Sequence, residues 1–221
     1  MSDIQNIKKQ VKQLESEYRF SSPGGLTSGF DTKSEAEVWN LFKGGDQSAF
    51  IFIYNKYFHI LFNYGRQFTG NIDLIKDCIH DIFYQIRSGQ AISKTTNIKF
   101  YLLKSFKNRY LYYLKRNHKY DLKPSEDQGY AFEVSLSQEQ IIINEQIDRE
   151  QKSKLIAALD QLSKRQKEAV YYYYYQDLSV DEISDLMNLN HRRSVQNLIY
   201  EAIHQLKNVL LSILIASRLL F

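Results

Sequence analysis

From Tyr130 to Phe221 the chain contains neither glycine nor proline, and only two prolines, Pro23 and Pro124, occur anywhere in it. Sheets need punctuation, because tight hairpin turns draw on glycine and strands are bounded by glycine and proline clusters. A long stretch without either residue is accommodated best by helices joined through short polar turns, so the expected fold is all-α. With 43% hydrophobic residues among 221, the chain has material for packed cores in one large or two small domains.

Within that stretch, residues 160–206 read as a helix-turn-helix. Ser179 and Glu182 make an S-x-x-E capping box, and Ile183, Leu186 and Met187 follow at helical spacing, so a short helix starts there and buries one face. Asn188-Leu189-Asn190 breaks it, with Leu189 available to plug the angle. Val195, Leu198, Ile199, Ala202, Ile203 and Leu206 then recur with helical periodicity, which turns Arg192, Arg193, Gln196, Asn197 and Tyr200 to the opposite face. Guanidinium and amide groups on the exposed side of a second helix are the groups that hold phosphates and read base edges in the major groove. Ahead of the Ser179 capping box, the run Tyr171–Tyr175 is expected to bury Tyr171 and Tyr174 and to leave the remaining rings at the surface.

The first half reads as a separate helical domain over 34–120, preceded by an extension, 1–33, whose first part suits a short helix. Ser34 and Glu37 form another capping box before Val38, Leu41 and Phe42, and Gly44-Gly45-Asp46 ends that helix and caps the next. Phe50, Ile53, Tyr54, Tyr57, Phe58 and Leu61 then mark a largely buried helix. From Asp73 to Arg87, Ile75, Ile79, Ile82 and Ile86 line one stripe, with Leu74, Cys78 and Phe83 beside it and Asp77, His80, Asp81 and Gln85 opposite. Phe100, Leu103, Phe106, Tyr110, Leu111 and Leu114 define a fourth helix. An acidic, proline- and glycine-containing connector over 121–146 leads to a second domain over 147–221, so the architecture expected is two small helical domains joined by a flexible linker.

The net charge of +4 says less than its distribution. Between Asp81 and Asp121 there is no acidic residue, whereas Arg87, Lys94, Lys99, Lys104, Lys107, Arg109, Lys115, Arg116 and Lys119 are basic. On the fourth helix these cations alternate with Phe100, Tyr101, Phe106, Tyr110, Tyr112 and Tyr113, a mixture suited to single-stranded DNA: cations follow the backbone while rings accept unstacked bases. Phe100, Leu103 and Phe106 belong to the core, but Asn108, Arg109, Tyr112 and Tyr113 cannot all face inward on one helix. No glycine-rich phosphate loop, nucleophile elbow or paired-carboxylate motif is present, so no enzyme and no cofactor is expected. Asp77, His80 and Asp81 lack a second cluster of ligands, so no metal site is expected either. The single cysteine, Cys78, excludes an internal disulfide and fits a reducing cytosol. There is no secretory signal, and the apolar run Val209–Phe221 is interrupted by Ser212, Ser217 and Arg218 and is too short for a bilayer span, so no membrane insertion is expected.

Taken in order, three blocks resemble the bacterial extracytoplasmic-function sigma factors, promoter-recognition subunits of RNA polymerase of the sigma-70 family. Gly45-Asp46 with Ala49-Phe50, followed by Asp77-Cys78-Ile79-His80-Asp81-Ile82-Phe83, resembles the D-x-x-Q-D-x-F helix that docks on the polymerase clamp. Phe100–Arg116 is similar to the helix that captures the melted minus-ten element, and Leu159–Leu206 to the domain that reads the minus-thirty-five element. The resemblance implies that Asp77, His80, Asp81 and Phe83 bind core polymerase. It further implies that Lys104, Lys107, Asn108, Arg109, Tyr112, Tyr113, Lys115 and Arg116 bind the minus-ten strand, and that Arg192, Arg193, Ser194, Gln196, Asn197 and Tyr200 form the recognition helix. Core RNA polymerase, promoter DNA and an anti-sigma protein are the partners it implies, and the cytoplasm the location. The chain departs from the family pattern at His80, usually glutamine, at Tyr112, often aspartate, and at Asp177, a common turn glycine. A stand-alone helix-turn-helix regulator, dimeric through the apolar tail, is the alternative, and it leaves the basic aromatic helix without a role.

Overall fold

The structure, a computed structural model, describes residues 29–30, 32–88, 97–117, 132–133 and 156–218, with 117 and 208–218 as backbone only. The helix expected within 1–33, nearly all of the 121–146 connector and the start of the second domain lie outside the described residues. All regular structure among the described residues is helical, and the chain divides into two compact units, Met1–Gly129 and Tyr130–Phe221.

The first unit contains α1 (Glu35–Lys43), α2 (Gln47–Gly65), α3 (Ile72–Arg87) and α4 (Ile98–Asn117). Side chains written into the sequence fix where these helices start. Ser34 Oγ accepts from the Glu37 N–H at 3.3 Å while the Glu37 carboxylate accepts from the Ser34 N–H at 2.8 Å. Asp46, Asn71 and Asn97 accept from the N–H groups of Ala49, Leu74 and Phe100 at 2.8, 3.0 and 3.0 Å. Each such cap stabilises its helix by about 0.5–2 kcal/mol. Gly45, at φ 87°, turns the chain between α1 and α2 in the left-handed region that glycine enters without steric cost.

The helices close around rings. α1 buries Val38, Trp39 and Phe42, while Leu41, expected beside them, is exposed because Trp39 takes the inward position one turn from Phe42. Phe83 of α3 meets Phe42, Phe50 and Tyr54 at centroid separations of 6.3, 6.1 and 4.9 Å, all edge-on. At the far end of α2, Gly65 permits a close crossing: a Cβ there would lie 2.7 Å from both Ile75 Cγ2 of α3 and Phe106 Cζ of α4. Beside the crossing, the Tyr110 hydroxyl of α4 donates to the Phe68 carbonyl at 3.1 Å.

Among the described residues, the second unit contains a helical stretch at 156–160, α5 (Lys164–Val170), a π-helical turn Tyr171–Tyr175, α6 (Val180–Leu186) and α7 (Arg192–Arg218). Leu162, Ala202 and Leu206 form a buried cluster flanked by Ala158, Leu159 and Val170, which fastens α7 to the start of the unit. The tyrosine run departs from its expected pattern. Tyr171 and Tyr172 are buried, while Tyr174 is exposed. The cause is the π turn, in which the Gln176 N–H reaches Tyr171 O: one extra residue per turn shifts the register, swinging Tyr174 out and Tyr172 in. Tyr172 Oη then donates to Glu168 at 2.9 Å, and the Gln176 amide donates to Tyr171 Oη at 2.9 Å. Phe132, which composition leaves in the connector, is buried against the Tyr171 and Tyr172 rings at 5.4 and 6.0 Å.

Two outcomes are expected from this packing. Gly65→Ala should lower the unfolding free energy by about 1–3 kcal/mol, read by urea titration, because both neighbours at 2.7 Å are fully buried side chains. Burial, reinforced by the Asp81 carboxylate, pushes the Cys78 thiol up to about 12. The native protein at about pH 8 should therefore resist Ellman's reagent and react fully only once unfolded.

Candidate nucleic-acid interface

Helix α3 turns the stripe Ile75, Cys78, Ile79, Ile82, Phe83 and Ile86 inward. Asp77 is exposed, and His80 and Asp81 are half-buried at the edge of that face. Phe83 cannot share a docking role with them: it is 0% exposed and enclosed by Phe42, Phe50 and Tyr54. Its spacing from Ile79 and Ile86 already places it on the buried stripe.

Helix α4 buries Ile98, Leu102, Leu103, Phe106 and Tyr110. Asn108, Tyr112, Lys115 and Arg116 are exposed, and Lys104, Arg109 and Tyr113 are half-buried. Lys107 is a correction to the expected row of DNA-facing cations. It is 4% exposed because position 107 falls on the stripe of Leu103 and Tyr110. The Lys104 ammonium sits 5.8 Å over the Phe100 ring, and the Arg109 guanidinium 5.8 Å over the Tyr112 ring. Tyr112, at 52% exposure, is the ring of this helix most open to a stacked base.

The two groups of residues that the sequence assigns to different partners meet here. Tyr113 Oη donates to Asp81 Oδ2 at 2.6 Å, and Arg109 Nε lies 3.9 Å from the same oxygen. Burial, together with the adjoining carboxylate, holds the Tyr113 phenol well above its ordinary range, so it remains a donor. Nothing in the sequence announces this pairing, because the partners are 32 residues apart on different helices.

In the second unit, the Ser179 and Glu182 capping box starts α6 as its sequence indicates, with bonds of 3.3 and 2.9 Å. α6 ends in a Schellman motif: Asn188 takes φ 50°, and the N–H groups of Asn188 and Leu189 return to Asp185 O and Ser184 O at 3.2 and 2.8 Å. Ser184 Oγ also donates to Leu189 O at 2.8 Å, so the bend is tied from both sides. Asp177, standing at a turn, likewise adopts the left-handed region at φ 53°. Beyond the bend, α7 buries Val195, Ala202 and Leu206 and exposes Arg192, Arg193, Gln196, Asn197 and Tyr200, the last at 71%; Ser194 is half-buried. Arg192 Nε pairs with Asp181 Oδ1 of α6 at 3.0 Å, a partner the sequence did not suggest, whereas Arg193 has no ion-pair partner among the described residues.

Residues 152–208 match the family model of sigma-70, region 4. The matched stretch includes the helix-turn-helix and the exposed face of α7 as far as Lys207. A region 4 domain is a promoter-DNA-binding domain of transcription initiation, not a catalytic one. No curated protein matches the chain. Among the described residues no group of three or more His, Cys, Asp or Glu side chains is placed to hold a metal ion, and no helix is long and apolar enough to cross a membrane.

Substitution at Asn188 tests the bend on which α7's placement depends. Asn188→Gly should leave stability within a few tenths of a kcal/mol, whereas Asn188→Val should lower it by about 1–2 kcal/mol, both read by urea titration.

Proposed function

We propose that this chain is a sigma factor of the extracytoplasmic-function type, which brings core RNA polymerase to particular promoters and helps to open them. The observation that carries the reading is the coincidence of the region 4 match with a helix-turn-helix whose second helix presents Arg193, Gln196, Asn197 and Tyr200 outside the core. In this reading that face reads the minus-thirty-five element in the major groove.

The first unit supplies the other two contacts. Asp77 and His80, on the outer side of α3, dock on polymerase. Tyr112, backed by Arg109 and flanked by Asn108, Lys115 and Arg116, receives the unpaired minus-ten strand. Such contacts are offered only to separated bases, so they shift the duplex-to-open equilibrium by differential affinity, without nucleotide hydrolysis. The chain catalyses nothing itself and works in the cytoplasm, restrained by an anti-sigma protein until its signal arrives.

Charge sets how the parts cooperate. Over 147–221 cations and acids nearly balance, a weak electrostatic footprint for a DNA-binding domain. The free chain should therefore bind promoter duplex poorly and gain specific binding when assembled with core polymerase. Reconstitution with core enzyme, sequencing of the retained DNA and run-off transcription from it test the proposal; failure to initiate at any retained site rejects it, as would tight, sequence-specific gel shifts by the free chain.

The two arginines at the start of α7 should differ. Arg193→Ala should weaken holoenzyme binding to such a promoter by about 1–3 kcal/mol, selectively for one base position if the side chain reads a base. Arg192→Ala should cost less, because Arg192 must first leave Asp181. Competition binding against single-base promoter variants measures both.

A further inference from the structure

We propose that Asp81 is a positioning residue for the strand-binding face of α4, holding Tyr113 and Arg109 so that the Tyr112 ring is presented to an unpaired base. The inference rests on the function proposed above and changes one assignment within it, since resemblance alone places Asp81 among the polymerase contacts.

The geometry supports an internal role. Asp81 accepts the Tyr113 hydroxyl at 2.6 Å and stands 3.9 Å from Arg109 Nε, both through Oδ2. The side chains of Asp81 and Arg109 are only 28% and 19% exposed, so this carboxylate faces α4 more than a docking partner. A hydroxyl-to-carboxylate bond this short is charge-assisted and geometrically demanding. The Tyr113 oxygen is thereby committed within the protein, which leaves Tyr112 as the open ring.

Two tyrosine hydroxyls together fix the last turns of α4. Tyr110 is bonded to the Phe68 carbonyl beyond α2, and three residues later Tyr113 is bonded to α3. Residues three apart lie on adjacent parts of one face, so the two bonds set the rotation of the helix about its axis. Arg109, drawn toward Asp81, lies under the Tyr112 ring at 5.8 Å and limits its freedom before a base arrives. Ordering the ring in advance removes part of the entropy cost of binding the strand.

The test uses holoenzyme reconstituted with Asp81→Asn, with Tyr113→Phe, which keeps the ring and its packing, and with both. Two affinities are measured: chain for core polymerase, and holoenzyme for a fluorescein-labelled single-stranded oligonucleotide carrying the non-template minus-ten strand of a promoter recovered with the wild-type enzyme. Each single change should weaken oligonucleotide binding about threefold to tenfold, the loss of one charge-assisted bond, with the double variant no worse than either and core affinity within about twofold of wild type. In a Tyr112→Ala background Asp81→Asn should have no further effect on the oligonucleotide, an outcome that general loosening of the fold would not give. The proposal is overturned if Asp81→Asn weakens core binding and spares the oligonucleotide, or if the two single effects add. Wild-type chain that binds neither core nor oligonucleotide rejects the functional reading itself, and this proposal with it.

Discussion

The first unit depends on the burial of Phe83 between α1 and α2. Its ring lies against Phe42, Phe50 and Tyr54, and aromatic pairs of this kind contribute about 0.5–1.5 kcal/mol each beyond the area they bury. More important than the sum is the rotation it imposes. With Phe83 and the isoleucine stripe turned inward, α3 has one setting, in which Asp77 faces solvent and Asp81 faces α4. The meeting of Asp81 with Tyr113 and Arg109 is thus a consequence of where an apolar ring must go.

The second unit obeys the same constraint with a different device. Its helices α5 and α6 are short, so their ends matter as much as their faces, and Ser163, Ser179 and the left-handed Asn188 define those ends. The π turn at Tyr171–Tyr175 converts a run of identical residues into two buried rings and three at the surface. Phe132 and the buried Glu168 and Gln176 groups are then satisfied by the two inward tyrosines. On this base α7 is fastened by Val195, Ala202 and Leu206, and Arg193, Gln196, Asn197 and Tyr200 are left to face outward.

Charge is distributed unevenly between the two units. The cations of α4 are gathered in a segment free of acids, where they accompany exposed and half-exposed rings. Over 147–221 cations and acids nearly balance, so the exposed face of α7 offers hydrogen-bonding groups more than electrostatic attraction. Under the function proposed above, such a domain would gain from being tethered beside a second DNA contact, because the tether replaces affinity by effective concentration.

Helix positions, their caps and the outward face of α7 were legible in the sequence, because each depends on residues within a turn or two: serine three places before glutamate, apolar residues every three or four. The same periodicity marks Phe83 and Lys107 as inward-facing, although the family resemblance assigns both to partners. Residues that meet across helices were not legible. The Asp81 and Tyr113 bond, the Arg192 and Asp181 pair, the Gly65 crossing and the packing of Phe132 each join positions whose separation along the chain carries no local signal. The tyrosine run failed for another reason: five identical residues give no periodicity, and the choice of which two to bury fell to a widened turn. The sequence by itself determined an all-helical chain with a helix-turn-helix near its end, since propensity, capping and amphipathic spacing act locally. Only tertiary structure decided which cations and rings remain available to a partner, since that depends on how each helix is rotated against its neighbours.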